Sequence, residues 1–316
     1  MAAKVLVVAG THGNERNAPW LLERWRRHPE TLNDAGLALE LVQGNPAALA
    51  KGWRYLERDL NRCFDPELLA QAGELALEVQ RARQLLAHYG PSGSAPCLVV
   101  LDLHSTTAAM GNSLVLYGQR PADLALAAGI QQRLGLPIYL HLADPSQTGF
   151  LVERWPCGVV VEVGPVPQGL VTAPICRQSQ LALEAALAVL SEASRAALRL
   201  PAQVLVHQHL CSIDLPRRRD GSPAACLHPQ RQDRDWQPIR AGDPLFLLAD
   251  GRTQGYEPPA GLEELPVWPV FINEAAYGEK GIALSLTRRL AMPCQSGWLE
   301  QLERLARLLD QRGAPL

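Results

Sequence analysis

Three runs of the chain, Lys4 to Ala9, Cys97 to Leu103 and Val159 to Val163, are aliphatic with almost no polar alternation, and each leads into glycine or into a side chain that can do chemistry. A strand that is apolar on both faces must be covered on both faces, which a parallel or mixed sheet flanked by helices provides. Leu37 to Val42 and Ser113 to Tyr117 read as further strands, and between the strands the spacing turns helical. Asn17-Ala18-Pro19 opens an amphipathic segment carrying Trp20, Leu21, Leu22 and Trp25, with proline where its missing N–H does no harm. Asp65-Pro66 starts a long helical segment toward Gly90, Ala122 to Leu134 is helical and stops at Gly135 and Pro137, and residues around Ser179 to Leu198 form an Ala/Leu-rich helix. The alternation predicts an α/β fold with a central mixed sheet between helices.

Past Leu200-Pro201 the texture changes. Short strand-like runs (Val204 to Leu210, Leu245 to Leu248, Val267 to Ile272) alternate with turn signals such as Asp220-Gly221 and Asp250-Gly251. The expected division is therefore an α/β domain over 1–200 and a smaller β-rich domain over 201–316, a size that suits two domains of ~150 residues. A closing helix, Trp298 to Arg312, carries a leucine stripe that packs against the body of the protein or against a second subunit, so a homo-oligomer is compatible with it. Lys plus Arg number 30 against 32 Asp plus Glu, which gives no basic face for nucleic acid. No run approaches the ~20 apolar residues of a membrane helix, and the N-terminal run is too short for a signal peptide, so the expected location is cytoplasmic. The seven cysteines contain no CxxC pair and read as reduced thiols, Cys157 and Cys176 as core ones.

Ligands of parallel sheets bind outside the carboxyl ends of the strands. The first run is followed by His12 and Glu15, the second ends in Asp102 and His104, and the third carries Glu162. His12, Glu15 and His104 supply two imidazoles and a carboxylate, a catalytic zinc set with one position left for water, and hence one Zn2+ per chain. Gly10 and Gly13 suit a loop that turns sharply around an ion. Glu162, in an otherwise apolar strand, needs a partner: either a structural arginine or, near the metal, the role of general base. Asp102 shares a strand face with His104 and is either its outer partner or plain structure. The stretch Trp53 to Arg62, with three arginines, Asp59 and Asn61, is either a solvated loop or a set of guanidinium forks for a carboxylate or oxyanion. His207 and His209 read as an exposed strand face and Arg217 to Gly221 as a solvated turn.

Taken in order, Gly10 to Glu15, Asp59 to Arg62, Asp102 to Thr107, Glu162 to Gly169 and Asn273 to Tyr277 resemble the motifs of the aspartoacylase and succinylglutamate desuccinylase family of zinc hydrolases, relatives of the zinc carboxypeptidases. The late Asn-Glu-Ala-Ala-Tyr segment, after His228-Pro229 and Asp235-Trp236, is similar to the aspartoacylase branch. The resemblance implies a carboxypeptidase-like domain followed by a β-rich domain that narrows the entrance. It implies zinc on His12, Glu15 and His104, Glu162 as general base and acid, Arg54 polarising the scissile carbonyl, and Asn61, Arg62 and Tyr277 holding the amino-acid part of the substrate. The implied reaction is hydrolysis of a small-molecule N-acyl amino acid, foremost N-acetyl-L-aspartate to acetate and L-aspartate. Its rivals are another N-acyl amino acid, aromatic or succinylated, and a non-catalytic ligand-binding member. The chain departs from the family at Ser105, where the family has Asn, and at Gly281, where it has a second Lys after Lys280. It also departs over Gln147 to Arg154, where the family's second carboxylate-gripping Arg has no match and Arg154 is the nearby candidate.

Overall fold

In the computed structural model, which describes residues 3–142 and 147–309, the first half of the chain alternates strand and helix. The order is β1 (Lys4–Ala9), α1 (Asn17–Arg27), β2 (Leu39–Gln43), α2 (Pro46–Lys51), α3 (Pro66–Ala70), α4 (Leu77–Tyr89), β3 (Cys97–Ser105), β4 (Gly111–Tyr117), α5 (Pro121–Leu134), β5 (Ile138–His141), β6 (Cys157–Gly164) and α6 (Ala173–Ser194). There follow β7 (Gln203–Asp214), β8 (Ala225–Leu227), β9 (Pro244–Leu248), β10 (Thr253–Gly255), β11 (Trp268–Val270), α7 (Ala275–Gly278), β12 (Ile282–Pro293) and α8 (Ser296–Ala306).

Among the described residues these strands form a nine-stranded sheet in the order β11-β12-β7-β5-β4-β6-β3-β1-β2 and a three-stranded sheet, β10-β9-β8. The large sheet is mixed. β2, β1, β3 and β6 run parallel, β4 is antiparallel to β6, and β12 is antiparallel to β7 and β11. The β-rich second half thus joins the same sheet through β7, β12 and β11. The expected division at 200/201 falls in the connection between α6 and β7, and α8 returns to pack on α5 and α6.

The strand pleat decides what faces what, because alternate residues point to opposite faces. Val5, Val7, Leu101, Leu103, Val159 and Val161 join one core cluster, beneath α1, α5, α6 and α8. Leu6, Val8, Val100 and Val160 join the other, beneath α4. Asp102, His104 and Glu162 share parity with Val100 and Val160, so they leave the sheet on the α4 side.

Local signals explain some element ends. α2 has Asn45 as its N-cap, accepting from Ala48 N at 3.2 Å, Pro46 at its start and a left-handed Gly52 behind it. The long helical segment expected from Asp65 to Gly90 is instead two helices. Arg83 reaches back from α4 to the carbonyls of Leu69, Gln71 and Glu74 at 3.1, 2.6 and 2.8 Å, which satisfies acceptors that a continuous helix would have used itself. The terminal helix is α8, shorter than expected; residues 310–312 of the expected span lie outside the described residues. Its Trp298, Leu302 and Ala306 are buried against the body of the protein.

Candidate metal centre and active site

His12, Glu15 and His104 meet at the carboxyl ends of β1 and β3, one ligand atom of each lying within 4.8 Å of the others. Glu15 stands between the imidazoles, with Oε1 2.6 Å from His12 Nδ1 and Oε2 3.0 Å from His104 Nδ1. The far nitrogens are held from behind. Asp59 Oδ1 lies 3.0 Å from His12 Nε2, and Asp102 Oδ2 lies 2.9 Å from His104 Nε2. Asp102 is itself steadied by Thr11, whose hydroxyl donates to Oδ1 at 2.8 Å. A carboxylate on each Nε2 turns both Nδ1 atoms inward, so the donor set fits a dication bound by two imidazoles and one carboxylate.

The loop that carries His12 and Glu15 is pressed against α2. A Cβ on Gly13 would stand 2.1 Å from the carbonyl carbon of Ala48, so only glycine lets the backbone pass there. Burial works against the charge on Glu15, but the imidazoles of His104 and His12 outweigh it and hold its carboxyl far below the usual range.

Arg54 stands beside this group, its guanidinium 3.1 Å from Asp59 Oδ2 and 3.8 Å from Glu15 Oε1. The segment around it is neither helix nor strand and is clamped from α4. The buried Glu78 accepts from the amides of Leu56, Glu57 and Arg58 at 2.7, 3.2 and 3.0 Å, and from Asn45 Nδ2 at 3.2 Å.

Glu162 is paired in register with His104 across β6 and β3. No arginine forms an ion pair with it among the described residues. Burial pushes its carboxyl well above the ordinary range; the nearby His104 opposes this, and Glu15 and Glu274 add to it. A carboxyl in that state binds a proton more readily than an exposed one, as a group that accepts and returns a proton must.

All eight site residues expected from the sequence, His12, Glu15, Arg54, Asn61, Arg62, His104, Glu162 and Tyr277, line one cavity of ≈ 640 Å³ including its open mouth. Tyr277 arrives from the second half of the chain because the segment before α7 docks on the loop after β3. Glu274 accepts from the amides of Thr107 and Ala108 at 2.8 and 3.1 Å and from the hydroxyls of Thr106 and Thr107.

Sequence reasoning missed part of the site. Asp59 falls in a charged stretch and a family motif but is given no role of its own there, Glu78 and Glu274 are given none, and the aromatic wall of Tyr117, Tyr139, Phe150 and Phe271 is not anticipated. Two expectations are overturned. Arg154 is exposed and does not line the cavity, because it closes the 3₁₀ turn Leu151–Arg154, whose buried residues are Leu151 and Val152. His207 and His209 do not form an exposed face. His207 is buried against Trp236 and Trp268, and His209 Nδ1 lies 3.0 Å from the Tyr139 hydroxyl, so aromatic side chains from other segments pack on both histidines.

The chain is similar to known proteins along nearly its whole length. Residues 1–190 match the succinylglutamate desuccinylase/aspartoacylase catalytic domain, and residues 202–289 match the AstE/AspA barrel-sandwich hybrid domain. A protein of Synechococcus sp. (strain CC9605) named probable aspartoacylase is 58% identical over 301 residues, 95% of this chain and 97% of the relative. The crystal structure of murine aminoacylase 3 superposes with a TM-score of 0.81 at 35% identity, covering 93% of this chain and 97% of that one. The succinylglutamate desuccinylase of Chromobacterium violaceum shares the fold, with a TM-score of 0.57 at 17% identity over 92% of this chain and 86% of its own.

Proposed function

The chain belongs to the succinylglutamate desuccinylase/aspartoacylase family, and we propose that within it this protein is a zinc-dependent deacylase that hydrolyses the amide bond of an N-acyl amino acid. The observation that carries the reading is the convergence of three ligand atoms within 4.8 Å in the cavity that Glu162 and Arg54 also line. When bound there by His12, Glu15 and His104, a zinc ion supplies Lewis acidity, polarising a carbonyl and lowering the pKa of water.

Glu162 takes the proton of the attacking water and returns it to the leaving amine, a two-way role suited to a carboxyl whose proton affinity burial has raised. Arg54, fixed by Asp59, offers N–H donors to the oxyanion that develops on the scissile carbonyl. Asn61 has its side-chain oxygen occupied by Leu151 N at 2.8 Å, which leaves its amide nitrogen as the donor toward substrate. Arg62 receives the carboxylate of the amino-acid part, and Tyr277, which lines the same cavity, helps hold that part.

N-acetyl-L-aspartate is supported by the names of the curated relatives. A second reading, an N-acyl amino acid with an uncharged or aromatic side chain, is favoured by the wall of the cavity. Tyr117, Tyr139, Phe150 and Phe271 line it, and among the described residues its guanidinium groups are those of Arg54 and Arg62. Elemental analysis of the purified protein, coupled to hydrolysis rates for N-acetylated Asp, Glu and Tyr, tests metal and substrate together. Zinc at one ion per chain with turnover lost to a chelator and restored by zinc is the expected result; a fully metallated protein that hydrolyses none of the three would overturn the reading.

A further inference from the structure

Arg62 differs from Arg54 in what holds it. Arg54 is paired with Asp59, whereas Arg62 has no ion-pair partner among the described residues, and its Nη1 donates to the backbone oxygen of Asn61 at 2.7 Å. What the guanidinium has instead is a ring. Arg62 Cζ lies 4.0 Å from the centroid of Phe150, and Phe150 is stacked on Tyr117 at 3.5 Å with the planes 17° apart.

The column is built into the chain. Gly149, at φ +80°, lets the segment run directly against the backbone of Arg62; a Cβ there would stand 2.7 Å from the Arg62 oxygen. Two hydrogen bonds then tie the segments together, Phe64 N to Gly149 O at 3.1 Å and Leu151 N to Asn61 Oδ1 at 2.8 Å. Phe150 is buried to 2% exposure, so its ring has one place to be. A guanidinium lying on an aromatic face keeps its charge unneutralised while losing rotational freedom, which a carboxylate partner would not allow at a ligand site.

We propose that Phe150, backed by Tyr117, is a positioning residue that holds the Arg62 guanidinium in place and uncompensated for the substrate's α-carboxylate. The proposal rests on the reading that an N-acyl amino acid enters this cavity, and it holds for either side-chain class.

The test uses the zinc-loaded protein with Phe150→Leu and Phe150→Tyr, and as substrates N-acetyl-L-aspartate and N-acetyl-L-tyrosine, each beside its α-carboxamide. Phe150→Leu is expected to raise KM for the acids about 3- to 10-fold. In that variant kcat and zinc content stay near wild type, the preference for acid over carboxamide shrinks, and Phe150→Tyr restores both. An unchanged KM in Phe150→Leu, or equal losses for acid and carboxamide, would overturn the proposal. If Phe150→Leu does not accumulate as folded protein, Tyr117→Leu removes the ring behind Phe150 and is held to the same criteria. If the wild type hydrolyses neither acid, it is the deacylase reading that fails. Calorimetric binding of the same acids and carboxamides then still decides the column, an acid preference kept in Phe150→Leu counting against it and one lost counting for it.

Discussion

Asp59 Oδ1 lies 3.0 Å from Nε2 of His12, a residue 47 positions earlier in the chain, and Asp59 Oδ2 accepts from Arg54 Nη2 at 3.1 Å. One carboxylate thus orients a metal-ligand candidate and the proposed oxyanion donor. Replacing Asp59 by Asn keeps the volume but weakens the hold on His12 and Arg54. Zinc affinity should fall about 10- to 100-fold, read by competition with a chromophoric chelator. Asp102→Asn, behind His104, should lower affinity similarly without the added effect on Arg54.

Glu162→Gln removes the proposed proton acceptor and leaves the three candidate ligand side chains in place. Turnover should drop about 100- to 10,000-fold while zinc per chain is unchanged by elemental analysis. Full activity in this variant would show that the base is another group.

Glu78 is remote from the chemistry, yet it holds the amides of three successive residues just after Arg54. Glu78→Ala leaves those donors without an acceptor. The expected cost is about 2–4 kcal/mol in urea unfolding, with kcat lowered up to about 100-fold as Arg54 loses its position. Stability lost with kcat intact would confine Glu78 to a structural role.

His207 gives the protein an acid-sensitive element away from the metal centre. Burial, with Arg289 nearby, pushes its imidazole from the ordinary 6.5 down to about 4. A group depressed in the folded state takes its proton first in the unfolded chain, so its contribution is complete above about pH 6.5 and is lost as pH falls toward 4. The loss amounts to at most about 3 kcal/mol. Unfolding midpoints at about pH 7 and about pH 5 should differ less in His207→Gln than in wild type; equal differences would count against the assignment.

The convergence of His12, Glu15 and His104 was legible in the sequence because each sits at or just past the end of an apolar strand, and strand ends in a parallel arrangement converge. Glu162 stood out for a related reason: an acidic residue in Val159 to Val163 is costly to bury without a partner. Other parts carried no local signal. β5 and β12 were not anticipated, and β12 has its longest pairing with β7, so its place depends on a partner some 80 residues away in the chain. The break between α3 and α4 is stabilised by Arg83 reaching back to three carbonyls, a side-chain event that helical periodicity does not encode.

Periodicity, glycine placement and the residue types at strand ends were sufficient, before any coordinates, for an α/β sheet with a two-imidazole, one-carboxylate centre at its carboxyl edge. These are properties of short windows, and local backbone chemistry governs them. The carboxylates behind the imidazoles, the clamp on the Arg54 segment, the docking of Glu274 that delivers Tyr277, and the Phe150 ring beneath Arg62 were decided by tertiary structure alone. Each joins residues from separate elements, and whether two such side chains meet depends on how the intervening chain packs.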